Sequence, residues 1–82
     1  MDIQKEIHDF MLSEFASERA SLAPDENLLG QGIIDSMGIL KLVSFLETRF
    51  EFDAGDDDLV PENFMTLRKI EDFVARKRRG NA

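Results

Sequence analysis

The chain has 82 residues, 33% of them charged, no cysteine and a formal net charge of −7. That length bounds it to one small domain, and the absence of cysteine excludes disulfides and thiolate metal sites. The acidic balance argues against general nucleic-acid binding, which needs a cationic face, and no apolar run approaches the length of a membrane span. The N-terminal stretch Met1-Asp2-Ile3-Gln4-Lys5 is amphipathic and acidic. It has neither the basic n-region nor the continuous apolar h-region of a secretion signal, so the expectation is a soluble, cytoplasmic, monomeric protein.

In chain order, the first predicted element is an amphipathic helix over about 2–17, with Ile3, Ile7, Phe10, Met11 and Phe15 at the spacing of one helical face. Residues 18–35 lack that period. Leu22, Leu28 and Leu29 are separated by Pro24 and followed by Gly30 and Gly32, which break any helix. This reads as a long loop whose apolar anchors lie across the core, and a loop of that length in a small domain is often functional. A central helix is expected over 36–51. Met37, Leu40, Val43, Leu46 and Phe50 form one stripe, and Ile39, Leu42 and Phe45 widen it until more than half the circumference is apolar. Phe52 to Asp58 reads FDAGDDD, which is turn chemistry with Gly55 available for an unusual backbone angle. A single helical turn over 56–60 is closed by Pro61. The last helix, 66–79, takes Thr66 as its N-cap and places Leu67, Ile70, Phe73 and Val74 on one face. It ends in Arg76-Lys77-Arg78-Arg79-Gly80, cations that suit the negative end of a helix dipole and a glycine that suits its stop. The last few residues are expected to fray.

The stretch GIIDSMG, residues 32–38, interrupts an apolar run with an acid and a serine. Asp35 suits the N-cap of the central helix, and Ile34 and Ile39 have the N′ to N4 spacing of a hydrophobic staple. Ser36 then occupies the first helical position, with its hydroxyl outward beside unpaired backbone N–H groups. Such a place favours an attached or bound phosphate. The plainer reading is a cap followed by a small polar residue. Catalytic readings fail: a nucleophile elbow needs Gly-x-Ser-x-Gly after a strand, and here Ile34 stands at the first glycine position. A Ser-His-Asp set would need His8, the one histidine. Its place between Ile7 and Asp9 marks it as a solvated surface residue on the polar side of the first helix.

The stretch LLGQGIIDSMGILKLVSFLETRF, residues 28–50, resembles the prosthetic-group motif of the acyl carrier protein superfamily. The stretch LVPENFMTLRKIEDFV, residues 59–74, resembles the third and fourth helices of stand-alone members. The likeness covers nearly the whole chain. It implies an all-α, four-helix carrier bundle occupying residues 1–82, with three main helices, one short helix and a long first loop. It also implies that a phosphopantetheinyl transferase attaches the 4′-phosphopantetheine of coenzyme A to Ser36, beside Asp35 as helix cap and orienting residue. A cargo is then carried as a thioester on the cofactor's thiol. That accounts for thiol chemistry in a chain without cysteine, and for a serine without catalytic partners, since the carrier presents its cargo to other enzymes and is not itself one.

Two features depart from fatty-acid-synthesis carriers. The central helix is nearly neutral, Lys41 and Arg49 offsetting Glu47 and Glu51, whereas the family's usual acidic helix docks on basic patches. This points to a specialised carrier, with Met37, Lys41, Ser44 and Glu47 facing partners. Ile33-Ile34 replaces the Gly-Gly usual in peptidyl carriers. The main expectation is an acyl carrier for fatty-acid-like or polyketide-like chains, served by a loading ligase and a downstream acyltransferase or synthase. The alternatives are an aminoacyl carrier, D-alanyl-like, or a peptidyl one, loaded by a dedicated adenylating ligase, and a helical interaction domain that is never modified. Seven phenylalanines fill space in which lipid carriers shelter a chain and so favour a short cargo. Gly38, a poor helix former, leaves room for the arm or the transferase. Met11, Met37 and Met65 at apolar positions read first as packing residues. The acidic group Asp53, Asp56, Asp57, Asp58 and Glu62 lacks the ligand spacing of a calcium loop and reads as a solvated turn, with weak cation binding as the alternative.

Overall fold

A computed structural model describes residues 2–80. Three α-helices form the frame: α1 (Ile3–Phe15), α2 (Ser36–Phe50) and α3 (Leu67–Gly80). Each begins at a side chain that satisfies an otherwise unpaired backbone donor. The Asp2 carboxylate accepts from the Lys5 N–H at 3.1 Å, Asp35 from Gly38 at 2.8 Å and the Thr66 hydroxyl from Lys69 at 3.0 Å. The last helix includes Gly80, and the fraying expected beyond it falls on Asn81 and Ala82, outside the described residues.

The short helix expected over 56–60 is instead two 3₁₀ turns, Asp56–Asp58 and Pro61–Asn63. Val60 precedes a proline, which disfavours the helical conformation, and it is extended at φ −116°, ψ 146°. One turn therefore closes before Val60 and another opens with Pro61 at its first position. The unusual angle expected of Gly55 is absent, its φ being −97°. The left-handed residue in this region is Glu51 (φ 59°), which ends α2.

The core is one apolar cluster. Ile7 and Met11 come from α1, Leu42, Leu46 and Phe50 from α2, and Leu67, Ile70, Phe73 and Val74 from α3. The long loop adds Leu22, Leu28 and Ile34, all buried, as its sequence leads one to expect. Its backbone is tied to the connection before α3: Leu28 N–H donates to Met65 O at 2.8 Å and Arg68 N–H to Pro24 O at 3.0 Å. Gly32, at φ +72°, makes the turn before the central helix, a conformation that costs a residue without a Cβ little.

Carboxylates secure the periphery. Asp25 takes both arms of the Arg68 guanidinium, Glu26 those of Arg19, and Asp58 pairs with Lys77 at 2.9 Å while accepting from Gly55 N–H. The side-chain bond to Arg68 holds the Asp25 carboxyl below its ordinary range, that to Arg19 does the same for Glu26, and that to Lys77 for Asp58. A depressed carboxyl contributes stability above its unfolded value, and the contribution is lost as pH falls through its folded value. Thermal melts followed by circular dichroism should therefore decline below about pH 4 as these carboxyls take up protons. Asp58→Asn should melt lower than wild type at neutral pH and show a shallower acid decline.

Candidate functional site

The site is built at the start of α2, where the loop delivers Ile34 and Asp35 to the helix. Asp35 is extended (φ −123°, ψ −173°), and its Oδ1 accepts the Gly38 N–H, as its sequence position implies. Ile34 is buried and Ile39 packs against the same core, consistent with the staple. Ser36 is the first residue of α2 and is exposed. The partial positive charge of the helix N-terminus and the unpaired N–H groups of the first turn suit an oxyanion attached there.

Gly38 does not have the role expected from the sequence. It is buried, and a β-carbon there would lie 2.8 Å from Ile34 Cγ1 and 3.0 Å from Phe15 Cε1. The glycine lets α2 close onto the staple residue and the end of α1; it does not open space for an arm.

Around Ser36 the surface is apolar and short of free charge. Met37 is 76% exposed and Leu40 54%, so neither joins the buried stripe expected of them, although Met11 does. α2 carries more apolar residues than its neighbours cover, and the surplus faces solvent on the turn of Ser36. Ser44 is exposed on the same side. Lys41 and Glu47 each have a partner within the fold, although Lys41 stays exposed. Lys41 Nζ lies 3.0 Å from Glu14 on α1, while half-buried Glu47 accepts from Ala54 N–H at 2.9 Å and so fixes the chain leaving α2. Arg49 pairs with Glu6 on α1. Sequence reasoning missed Leu40. It is four residues after Ser36 and four before Ser44, so a run of polar neighbours on one face marks it as outward.

The other candidate residues are engaged elsewhere. His8 is not a solvated surface residue: it is half-buried, and its Nε2 accepts the Leu22 backbone N–H at 3.0 Å. Within the acidic group Asp58 is committed to Lys77 and Gly55, and among the described residues no cluster of His, Cys, Asp and Glu has the geometry to hold a metal ion. In the basic run Arg76 bonds Asn63 at 2.9 Å, Lys77 binds Asp58, and Arg78 lies over the Phe50 ring. These internal partners support the reading of that run as a helix terminus.

Ser36 is thus an exposed serine at a capped helix start in an acidic domain that is all-helical among the described residues. No protein-family model matches the chain. Known proteins do. The D-alanyl carrier protein of Streptococcus sanguinis (strain SK36) is 32% identical over 78 residues, covering 95% of this chain and 98% of that protein. That of Streptococcus thermophilus (strain ATCC BAA-491 / LMD-9) is 31% identical over the same extent. That of Streptococcus suis (strain 98HAH33) is 34% identical over 70 residues, covering 85% of this chain and 87% of that protein. The chain belongs to the stand-alone carrier proteins of the acyl carrier protein superfamily. It is a carrier, not a catalyst.

The local packing gives a direct test. Alanine has the better helix propensity by about 1 kcal/mol, but its methyl has no space beneath Ile34, and overpacking costs about 1–3 kcal/mol. Gly38→Ala should lower stability to urea by a net amount of about 1 kcal/mol. Asp35→Ala should lower it by a similar amount through loss of the cap.

Proposed function

We propose that this protein is an aminoacyl carrier of the D-alanyl type, with a 4′-phosphopantetheine arm on Ser36 and loading by a dedicated adenylating ligase. The single observation that carries the reading is an exposed Ser36 at the Asp35-capped start of α2 in a chain whose relatives over 95% of its length are D-alanyl carriers. Those relatives favour an aminoacyl cargo over a fatty-acid or polyketide one. The interior supports a short cargo. Phe64 and Phe73 are fully buried with ring centroids 5.3 Å apart, Phe52 packs edge-on to Phe73, and Phe10 stacks on Phe45 at 4.0 Å. Rings occupy the space between helices that a sheltered acyl chain would need.

The residues present fit the group. The arm supplies the thiol on which the cargo rides, and the chain contributes no thiol of its own. Ser36 offers an accessible hydroxyl to a phosphopantetheinyl transferase. Asp35 holds the first turn by accepting from Gly38, leaving the N–H groups nearest Ser36 to face the phosphodiester. Met37, Leu40 and Ser44 present an uncharged ridge to the transferase and the ligase. Charge at an interface chiefly sets encounter rate and partner choice, so enzymes that seek a strongly acidic helix gain little here. The setting is cytoplasmic, where coenzyme A and ATP are at hand.

Incubation with coenzyme A, Mg²⁺ and a broad-specificity transferase should add one phosphopantetheine by intact mass, and Ser36→Ala should remain unmodified. The holo form should then gain one D-alanyl group in the presence of ATP and a D-alanine-activating ligase. A folded wild type that takes no arm would point to an unmodified interaction domain or to a carrier read only by a private transferase. A holo form loaded by fatty-acyl enzymes and refused by the D-alanine ligase would restore the acyl reading. In the same assay Leu40→Glu should slow ligase loading by roughly tenfold or more while leaving the melting temperature within a degree or two of wild type, because exposed positions contribute little to stability.

A further inference from the structure

The one histidine of the chain sits at a junction that the carrier site does not use. The Leu22 N–H points at His8 Nε2 at 3.0 Å. A backbone N–H only donates, so Nε2 must be the unprotonated nitrogen. The ring proton is then on Nδ1, which lies 3.1 Å from Asp9 Oδ1. His8 is thus neutral in one defined tautomer, with Asp9 on its own helix on one side and the loop backbone on the other.

We propose that His8 is a proton-operated latch that holds the backbone of the long loop at Leu22 against α1. Protonation turns Nε2 from acceptor into donor. Two N–H groups would then meet head-on, and the contact with Leu22 cannot persist. The bond the ring already makes to the Asp9 carboxylate, itself 3.0 Å from Lys5 Nζ, becomes charge-assisted. The proton therefore costs the ring its bond to the loop and strengthens the one to its own helix. The surface hollow at the ring is lined by the cap residue Asp2, on α1 by Lys5 and Asp9, on the loop by Leu22 and Pro24, and on α3 by Leu67. Among these the charged groups are Lys5 and Asp9 within α1 and Asp2 at its cap. Gln4, on the same helix, bonds Glu71 of α3.

The opening is confined. Leu22 itself keeps its side chain in the core, Arg19 before it is tied to Glu26, and beyond it the chain is held by Arg68 N–H on Pro24 O, Leu28 N–H on Met65 O and the Asp25–Arg68 pair. The two carboxyls of those pairs are held below their ordinary range, so they stay charged through the interval near pH 5–8 in which histidines titrate. The latch releases while the anchors nearer Ser36 remain closed.

The test is amide exchange and chemical shift by ¹⁵N NMR on the full chain between pH 8 and pH 5, with the ring followed through its own carbon-bound protons. After correction for intrinsic exchange, protection of the Leu22 amide should fall about five- to tenfold on acidification, the size of one hydrogen bond. Its midpoint should coincide with the ring's, and the Leu28 and Arg68 amides should hold their protection. In His8→Gln, which keeps a neutral acceptor, Leu22 should show no such step. A Leu22 amide indifferent to ring protonation overturns the proposal. So does a simultaneous loss at Leu22, Leu28 and Arg68, which would mark general loosening. The wild-type titration decides the matter even if the variant folds poorly.

Discussion

The closure of α2 onto the residues just before and beneath it determines where everything else can go. Asp35 turns its carboxylate onto the Gly38 N–H, and that bond is possible in a packed first turn because Gly38 presents no side chain to Ile34 and Phe15. Three constraints meet in these few residues: a satisfied backbone donor, a buried staple residue and a close approach of α1. Together they fix the direction of the helix start and leave Ser36, one step along, with nothing to bury. The serine is held by its neighbours and not by contacts of its own.

The same logic explains why so long a loop is tolerated. A connection of about twenty residues would be costly in entropy if left free. Here it is pinned at intervals by apolar side chains, Leu22, Leu28 and Ile34, and between them by backbone groups bonded to His8, Met65 and Arg68. The loop arrives at α2 with its last anchor already in the core. Charged side chains complete the frame. Lys41 and Arg49 bind α1 to α2, Arg68 binds the loop to α3, and Lys77 binds α3 to the acidic turn. Ion pairs this exposed contribute little each, but they use up charges that would otherwise stand on the surface.

The frame was legible in the sequence where a local rule acts alone. Helical spacing gave α1 and α3, and Asp35, Ser36 and Thr66 stand where capping chemistry puts them. Legibility failed where two rules compete or where tertiary placement decides. The pattern at 56–60 looks helical until Pro61 is allowed to act on Val60. Met37 and Leu40 look buried by their apolar character; the polar neighbours of Leu40 at helical spacing hint at its outward face, while the exposure of Met37 depends on where α1 and α3 lie. Gly38 looks like a defect in a helix until Phe15 is seen beneath it. His8 looks solvated because its partner is a backbone N–H from a loop fourteen residues later. Glu47 looks free for the same reason, its partner being the backbone of Ala54.

A carrier faces two opposed demands. Its attachment serine must be fixed in orientation, and it must also be uncovered on the side from which several enzymes approach. A residue cannot be fixed by its own packing and remain uncovered. With Ser36 as the proposed attachment residue, this chain separates the two by sides of one helix. Gly38, Leu42 and Leu46 lie on the side sunk into the core, while Ser36, Met37, Leu40 and Ser44 carry no covering element. The adjacent charges of Lys41 and Glu47 are engaged by Glu14 and Ala54, so under the proposed carrier role recognition on the open side would rest chiefly on shape and apolar contact. An apolar ridge of two side chains is too small to hold a partner for long. For a protein that must leave one enzyme to reach the next, brief contact is the property that the exposed methionine and leucine would supply in the proposed role.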